Sequence, residues 1–324
     1  MGFRRISYIK VYAIFCTLFI FYLLSSEWKT EESFVRQNRK LHKEIKKLKK
    51  GCTSRGASHD SEESQEPEPI YLITPTYARF TQKADMTRLL YTLMHVESLH
   101  WIIIEDHDEK TELITKFIER IPTDIQVTHL NMKTPPMDKL ASDDPSWLKP
   151  RGVQQRNAAI EFLIKHYQES PEGYVYFLDD DNTYDIRIFD EIRKIEEDQV
   201  GVWPVGIVGK LRYEGPVCSN GEVTSWFTAW KPDRPFPIDM AGFAVRLENF
   251  LGSPEARFKQ RVPRGYQESH ILTELGLDRT NAVGLANNCR DVLVWHTRTE
   301  KPRMDAEEKL MKATGAASDL SIEV

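Results

Sequence analysis

Three consecutive aspartates, Asp179, Asp180 and Asp181, follow the apolar run "YVYFL" at residues 174–178. Along an extended segment, Asp179 and Asp181 point to one side and Asp180 points to the other. Two ionised carboxylates on one side repel each other, so either a cation joins them or one of them keeps a proton. A hard divalent ion such as Mg²⁺ or Mn²⁺, carrying a phosphorylated ligand, meets this need. The spacing therefore favours a metal site, although an exposed acidic loop or caps for a helix beginning near Ile186 are alternatives.

A second group of residues with useful chemistry lies near the C-terminus, in the stretch "DVLVWHTRTEKP" from residue 291. If the strand that it predicts stays extended, His296 and Arg298 share one face. That pair suits an anionic ligand such as a pyrophosphate, and a strand-end pair facing water is the alternative. The stretch "KPRGVQQRN" adds Arg151 and Arg156, which are five positions apart and so do not share a helix face. We therefore expect Arg151 in the loop that enters the helix.

These groups together predict a pocket for a nucleotide diphosphate, built from a metal site, arginines and one histidine. The sequence contains neither GxxxxGK[ST] nor GxGxxG. The absence of both motifs argues against P-loop enzymes and dinucleotide-binding enzymes.

A sheet must position these residues, because apolar strand-like stretches alternate with helical ones over the first half of the globular part. The predicted strands are "IYLIT", "HWIIIED", "IQVTHL" and "YVYFL", separated by the helical stretches "TQKADMTRLLYTLMHV", "TELITKFIERI" and "RGVQQRNAAIEFLIKHY". This alternation predicts an α/β fold with a mixed, mostly parallel sheet. From "VGVWPVGIVGKLRYEG" to "EVTSWFTAW" the pattern becomes strand-rich. Because ligands of such sheets bind beyond the carboxyl ends of the strands, "TPTYAR", "EDHD" and "LDDDN" are expected to form one crevice.

The composition fits a globular domain and sets limits on the partners. The chain has 324 residues, 40% of them hydrophobic and 29% charged, which is enough apolar material for a large core. The net charge of −5 gives no basic excess, so no nucleic-acid partner is expected. The four cysteines are far apart and form no CxxC pair, which argues against a structural zinc site.

The N-terminal segment predicts a membrane anchor. Three basic residues accompany an apolar run from Val11 to Leu24, and the whole segment 6–26 has the ~20 residues that a spanning helix needs. A cleaved signal peptide is the alternative, but the run is long, rich in aromatic residues and lacks an A-x-A end. Positive charge ahead of the run places residues 1–5 in the cytoplasm and the rest of the chain in a lumen or outside.

Residues 27–69 are expected to form a stem between the anchor and the luminal domain, 70–324. Heptad spacing over residues 34–52 indicates a short coiled coil with Cys52 at a seam position, and a solvated charged spacer is the alternative. In a parallel dimer Cys52 would meet its twin, where an oxidising lumen permits an interchain disulfide. Residues 53–69 are rich in Ser, Glu and Pro, which predicts a flexible linker.

Longer motifs add a family resemblance. The stretches "PTYAR", "HWIIIED", "RGVQQRN", "DDDNTY", "VWPVGIVG", "RPFPIDMAGFAV", "GYQES" and "VLVWHTRTEKP" occur in this order. In this arrangement the chain resembles the β-1,3-glucuronosyltransferases over essentially all of residues 70–305. The resemblance implies an inverting, metal-dependent enzyme of the GT-A-type fold, held in the Golgi membrane by a type II anchor. The stretches "PRGVQQRN", "RYEGP" and "PRGYQES" favour galactosyl-galactosyl-xylosyl-serine of the glycosaminoglycan–protein linker as acceptor, and N-acetyllactosamine termini are the alternative.

The resemblance also implies roles for individual residues. Glu268 would be the general base and Asp181 the ligand of Mn²⁺, with UDP-glucuronic acid as donor; residue types alone do not separate Glu268 from neighbours such as Glu274. The uridine would be held by Thr76, Tyr77, Asp106 and Arg151, with Asp179 and Asp180 seating uracil and ribose. Phosphates and glucuronic acid would meet Arg156, His296 and Arg298. The acceptor galactose would be oriented by Glu214, Trp230, Arg234 and Asp239.

The implied reaction is a single displacement at the anomeric carbon of the donor sugar. Glu268 would take the proton from the acceptor's 3-hydroxyl as that oxygen attacks. Mn²⁺, His296 and Arg298 would neutralise charge on the departing diphosphate. The family also implies a homodimer whose C-terminal tails lend acceptor contacts, and the tail beginning at Met304 differs here from the family's.

Two other classes of protein are weighed against this one. A non-catalytic, membrane-anchored lectin would keep Trp230 and Arg234 but would not need a metal motif and a base together. A metal-dependent phosphohydrolase would need ligands for a second metal, and the sequence shows no matching second acidic cluster. Both are disfavoured.

Overall fold

The computed structural model describes residues 67–141, 143–145, 148–297, 299–300, 302–320 and 322. The predicted anchor, almost all of the predicted stem including Cys52, and Arg298 lie outside these residues. Within the described ranges, no helix combines the length and the apolar composition needed to cross a bilayer.

The first half of the described chain forms parallel strands joined by helical crossovers. The sequence predicts these strands and helices correctly, and their bounds differ from the prediction by only a few residues. The strands are β1 (Ile70–Thr76), β2 (Leu99–Glu105), β3 (Gln126–Asn131) and β4 (Tyr174–Phe177), and the helices between them are α1 (Gln82–Leu93), α2 (Glu112–Glu119) and α3 (Val153–Tyr167). They lie side by side in the order β3-β2-β1-β4.

The second half is richer in short strands, as the sequence predicts. Its strands are β5 (Thr183–Tyr184), β6 (Val200–Val202), β7 (Val205–Gly206), β8 (Tyr213–Ser219), β9 (Glu222–Phe227), β10 (Phe243–Arg246), β11 (Ala282–Gly284) and β12 (Val294–Trp295). Its helices are α4 (Arg187–Ile192), α5 (Leu247–Leu251), α6 (Gln267–Glu274) and α7 (Asp305–Thr314).

The whole sheet is mixed, but it is not mostly parallel. Its order is β3-β2-β1-β4-β10-β6-β11-β9-β8-β7-β12-β5. Five of the pairings between described strands are parallel and six are antiparallel. The expectation fails in the second half, where β7–β8 and β8–β9 are joined by short connections and the other antiparallel pairs join strands far apart in the chain. The turn Asn220–Gly221 between β8 and β9 is an example, since both residues have positive φ, as a two-residue hairpin requires.

The core lies on both faces of the sheet. Along β1, Ile70 and Leu72 belong to one buried cluster, whereas Tyr71 and Ile73 belong to the other. Helices α1 and α2 cover the first face, and α3 and α6 cover the second. Burial on both faces explains why β1, β2 and β4 are largely apolar along their length rather than alternating, whereas the edge strand β3 is more polar.

The C-terminal strand is shorter than the sequence predicts. β12 covers only Val294–Trp295, and the amide of Thr297 donates to the carbonyl of Trp295 at 2.9 Å. This bond closes a three-residue turn at His296. The expectation that the chain stays extended beyond His296 is therefore wrong.

One disulfide joins distant parts of the second half. Cys218, in β8, is bonded to Cys289, at the end of a turn formed by Ala286–Cys289. All four residues of that turn have positive φ. The sequence alone does not predict this bond, because the two cysteines are 71 positions apart.

Candidate active site

The carboxyl ends of three neighbouring strands meet in one crevice, as predicted. Thr76 ends β1, and its carbonyl accepts from the amide of Asp106, which follows β2, at 2.8 Å. The Thr76 hydroxyl donates to Oδ2 of Asp180, beyond β4, at 2.7 Å. Tyr77 is 49% exposed at the same edge, so its ring is available to a ligand.

The three aspartates lie beyond the end of β4, and the chain turns at Asp180 and Asp181. Arg156 Nη2 donates to Asp179 Oδ1 at 2.8 Å. Arg79 Nη2 pairs with Asp180 Oδ1 at 2.9 Å. The cations that ease repulsion at Asp179 and Asp180 are therefore arginines of the chain itself.

The Asp181 carboxylate is open among the residues that the structure describes. Its backbone is held by the Thr297 hydroxyl, which donates to the Asp181 carbonyl at 2.9 Å. None of the residues described in the structure donates to the Asp181 carboxylate. In the same part of the chain, no group of three or more His, Cys, Asp or Glu side chains has a metal-binding arrangement. One open carboxylate fits a divalent ion whose other ligands are diphosphate oxygens and water.

Asp180 is buried as well as paired. Burial raises the pKa of Asp180 to about 6, although Arg79 and Thr76 both favour its ionised form. The nearby Asp181 carboxylate also raises it. Asp180 therefore helps to hold the crevice together, and the Arg79 guanidinium favours its ionised form.

Asp106 and Arg151 lie at the crevice with partners of their own. Asp106 accepts from the Thr134 amide at 2.7 Å and from the Thr134 hydroxyl at 2.9 Å. Arg151 lies in the loop before α3, as predicted, and its carbonyl accepts from Arg156 Nη1 at 2.9 Å. A Cβ at Gly152, where φ is +73°, would approach this Nη1 to 2.6 Å, so the loop requires glycine there.

Glu268 lies in the first turn of α6 and has an unusual protonation equilibrium. Burial raises the pKa of Glu268 to about 7, and the Asp239 carboxylate contributes in the same direction. Arg234 and Arg156 act against this rise. A carboxylate with a pKa near 7 is poised to exchange a proton at neutral pH.

The structure distinguishes Glu268 from Glu274 as the candidate base, whereas the residue types alone do not. Glu274 lies on the same helix and pairs with Lys259 at 3.2 Å, and it lies 3.9 Å from His270 Nε2. It is an ordinary paired carboxylate, whereas Glu268 is held among the residues assigned to donor and acceptor.

Asp239 connects the two sides of the site. Its Oδ1 accepts from the Ala241 amide at 3.0 Å and so caps the short 3₁₀ turn Met240–Gly242. Burial raises the pKa of Asp239, and the charge of His296 opposes this rise. Nδ1 of His296 is buried without a hydrogen-bond partner among the described residues, which leaves it available to a ligand oxygen.

The residues assigned to the acceptor line the neighbouring surface. Glu214, in β8, is buried and its Oε1 accepts from the Ala229 amide at 2.8 Å. Trp230 is 41% exposed, and the Arg264 guanidinium lies 4.8 Å from the centre of its ring. Trp230 is therefore not a core residue. Arg234 is buried and donates to the carbonyls of Lys231, at 3.3 Å, and of Gly265.

Two residues of the crevice were not anticipated. Arg79 belongs to the quoted stretch "PTYAR" and was given no role, yet it holds Asp180. Thr297 fixes the backbone of Asp181. Only their positions in the sequence point to the site, because Arg79 follows a strand end by three residues and Thr297 follows His296.

Known proteins are similar to this chain over most of its length. Residues 89–300 match the model of glycosyltransferase family 43. The chain is 51% identical to galactosylgalactosylxylosylprotein 3-beta-glucuronosyltransferase sqv-8 of Caenorhabditis elegans, over 76% of this chain and 69% of that protein. It is 49% identical to galactosylgalactosylxylosylprotein 3-beta-glucuronosyltransferase I of Drosophila melanogaster, over 79% and 83% respectively. Among solved structures, S. aureus TarS 1-349 aligns at a TM-score of 0.45 and 12% identity, over 71% of this chain and 60% of that one.

The strand-end crevice and the family match define a sugar-transferring enzyme of the α/β class. The chain belongs to glycosyltransferase family 43.

Proposed function

We propose that this protein is an inverting glycosyltransferase that moves glucuronic acid from UDP-glucuronic acid to the 3-hydroxyl of a terminal β-galactose. The observation that carries the proposal is the raised pKa of Glu268, about 7. This residue lies between the donor crevice and the acceptor surface. Arg156 on the donor side and Arg234 on the acceptor side both act on its charge. A base at that point can reach both substrates.

The chemistry is one displacement step. Glu268 takes the proton of the 3-hydroxyl while that oxygen forms a bond to the anomeric carbon. The bond from the anomeric carbon to UDP breaks, and UDP leaves with the electron pair from the opposite face. The α-linked sugar of the donor therefore becomes β-linked in the product. Arg156 and the open Nδ1 of His296 supply cationic and hydrogen-bonding contacts to the diphosphate.

Mn²⁺ belongs to this proposal through Asp181, whose open carboxylate supports it. When bound, the ion neutralises charge that grows on the diphosphate. Asp179 and Asp180 have arginine partners instead, so their part is to shape the uridine end of the crevice.

The acceptor that we propose is galactosyl-galactosyl-xylosyl-serine of the glycosaminoglycan–protein linker. The names of the related proteins support this acceptor over N-acetyllactosamine termini. The exposed face of Trp230 suits the C–H edge of a galactose, and Glu214, Arg234 and Asp239 are the residues that we assign to its hydroxyls.

The cellular setting completes the proposal. We infer a GT-A-type catalytic domain, a type II anchor at residues 6–26 in the Golgi membrane, and a homodimer. The apolar N-terminal run with its preceding basic residues supports the anchor. A lectin would have no use for a carboxylate held near neutral pKa, so Glu268 also favours catalysis over sugar binding alone.

Transfer assays with substitutions at Glu268 and Glu274 test this function. Both acceptor classes are incubated with UDP-glucuronic acid and the full-length protein. Glu268→Gln should bind UDP normally but lose transfer by about 100-fold or more, the usual value of a general base. Glu274→Gln, on the same helix, is the matched control and should keep its activity. Transfer by Glu268→Gln within about tenfold of the parent would remove Glu268 as base.

A further inference from the structure

Asp85 is a buried carboxylate without a role in the mechanism above. It lies in the first turn of α1 and is 1% exposed. It accepts from Arg79 Nη2 at 2.8 Å, Thr81 Oγ1 at 3.0 Å and Arg88 Nη2 at 3.3 Å. An acid at a helix N-terminus needs none of these partners, since an exposed one already interacts favourably with the helix dipole. The burial of Asp85 therefore points to a further task.

Arg79 connects Asp85 to the aspartate turn. Its Nη2 lies 2.8 Å from Asp85 Oδ2 and 2.9 Å from Asp180 Oδ1. One guanidinium group therefore bridges two buried carboxylates. If the Asp85 charge is removed, Arg79 loses the partner that fixes its direction toward Asp180.

The fourth donor to Asp85 comes from the other end of the chain. Thr299 Oγ1 donates to Asp85 Oδ1, across 214 positions of sequence. Two residues earlier, Thr297 Oγ1 donates to the carbonyl of Asp181. These alternate threonines tie the segment after His296 to the aspartate turn directly and to α1 through Asp85.

We propose that Asp85 is a positioning residue for the donor site, which locks the segment containing Thr297 and Thr299 against the aspartate turn through Arg79. This inference rests on the proposed function, because the locked parts are those assigned to UDP-glucuronic acid. The chain Thr299–Asp85–Arg79–Asp180 fixes the distance between the two walls of the crevice before any ligand enters. Preorganisation of this kind lowers the cost of binding, so its loss weakens donor binding rather than chemistry.

Thr299→Val is the first test, because it removes one hydroxyl and preserves the branched shape of the side chain. UDP affinity, measured by calorimetry with and without Mn²⁺, should fall roughly tenfold, the value of one hydrogen bond to a charged group. The KM for UDP-glucuronic acid should rise to match, while kcat and the KM for the acceptor should stay within about twofold. Thr299→Ser keeps the hydroxyl and should restore UDP affinity.

Asp85→Asn and a matched threonine control complete the test. Asp85→Asn should weaken UDP binding more than Thr299→Val, because it also releases Arg79. Thr87→Val, on the same helix, removes a hydroxyl that bonds only to the Lys83 carbonyl and should change nothing. If Asp85→Asn does not fold, the comparison of UDP affinity between Thr299→Val and Thr299→Ser is the test of the proposal.

The outcomes separate this inference from the function on which it rests. UDP binding by Thr299→Val within about twofold of the parent would overturn the positioning role, even if its melting temperature falls. An equal loss of donor and acceptor affinity would also overturn it, since that indicates general disruption. A parent protein that neither binds UDP nor transfers glucuronic acid would instead reject the proposed function.

Discussion

At the scale of single residues, Glu268 shows a conflict between stability and function. A partly buried carboxylate that lies near Asp239 ionises with difficulty, and this same difficulty makes it a base at neutral pH. Arg234 and Arg156 limit the effect and prevent Glu268 from remaining protonated throughout. Both the rate of transfer and the stability of the protein should therefore depend on pH.

The pH dependence of transfer should report the ionisation of Glu268. Only the ionised form accepts the proton, so kcat/KM for the acceptor should rise about tenfold per pH unit below pH 7 and level off above it. The measurement is a rate profile at saturating UDP-glucuronic acid. Residual transfer by Glu268→Gln should be flat over the same range. A parent profile that levels off near pH 4.5, the ordinary value for Glu, would contradict a raised pKa.

The stability of Glu268→Gln should exceed that of the parent at alkaline pH. The folded pKa is about 7 and the ordinary value is 4.5, so the folded protein binds this proton more tightly than the unfolded chain does. The parent therefore loses stability as the pH rises from 4.5 to 7, by roughly 1–3 kcal/mol. Urea unfolding should show Glu268→Gln more stable at pH 8 and nearly equal to the parent at pH 5. Equal stability of the two proteins at pH 8 would show that Glu268 ionises freely in the fold.

Site residues differ in how far the sequence could reveal them. The aspartates and His296 stand out by residue type, and the resemblance supplies Glu268. The ion pairs of Asp179 and Asp180 were not predictable, because their partners Arg156 and Arg79 lie far from them in the sequence. Asp85 gave no signal, since its partner Thr299 lies 214 positions away.

At the scale of elements, the hairpin β8–β9 brings acceptor residues to the site. Glu214 lies in β8, and the amide of Ala229, just after β9, donates to it at 2.8 Å. The far end of the hairpin is held by the disulfide from Cys218 to Cys289. The disulfide leaves no room for a side chain at Gly284, because a Cβ there would lie 2.2 Å from the Cys218 sulfur and 2.6 Å from the Cys289 sulfur.

Removal of this disulfide should destabilise the domain. The bond closes a long loop in the unfolded chain, so Cys218→Ala with Cys289→Ala should cost roughly 2–5 kcal/mol of unfolding free energy. Urea unfolding of the parent under oxidising and reducing conditions provides the comparison. The double variant should lose its response to reductant and should bind UDP unchanged, because the donor crevice lies on other strands. Equal stability of parent and double variant would mean that the bond contributes nothing to the fold.

The elements themselves were largely predictable up to β4 and less so afterwards. Short apolar runs between turn residues mark β1, β2 and β4, and the helices between them carry a helical period, which explains the success in this half. β12 is only two residues long because Thr297 bonds back to Trp295, and a short local turn leaves no periodic trace. The antiparallel pairs likewise depend on tertiary contacts that propensity does not encode.

At the scale of the whole described domain, the mixed sheet creates the active site. β10 pairs antiparallel with β4, with Ala244 opposite Tyr176. The start of β10 therefore lies beside the end of β4, and Asp239, just before β10, reaches the neighbourhood of Asp179. A parallel β10 would have carried Asp239 to the opposite edge. Donor residues from the first half and acceptor residues from the second meet for this reason.

The proposed Mn²⁺ site at Asp181 predicts that transfer depends on a divalent metal ion. EDTA should abolish transfer, and added Mn²⁺ should restore it. Asp181→Asn should remove the effect of Mn²⁺ on UDP binding, as measured by calorimetry. Asp185→Asn is the matched control, because Asp185 pairs with Arg187 at 2.7 Å. UDP affinity that is equal with and without Mn²⁺ in the parent would contradict the role of Asp181.

The proposed homodimer gives the last prediction, which concerns Cys52. Cys218 and Cys289 are bonded within one chain, so of the four cysteines only Cys16 and Cys52 remain for a bond between chains. Cys52 falls at a seam position of the heptad pattern over residues 34–52, where a parallel coiled coil places identical residues opposite each other.

Non-reducing electrophoresis of the full-length protein distinguishes these cysteines. The parent should migrate as a covalent dimer that reductant converts to monomer, because an oxidising lumen favours the disulfide. Cys52→Ser should migrate as a monomer without reductant, whereas Cys16→Ser should remain dimeric. A dimer band that persists in Cys52→Ser would reject the seam disulfide. Sedimentation of Cys52→Ser then shows whether the coiled coil associates without the bond, since a heptad seam can hold a dimer through apolar contacts alone.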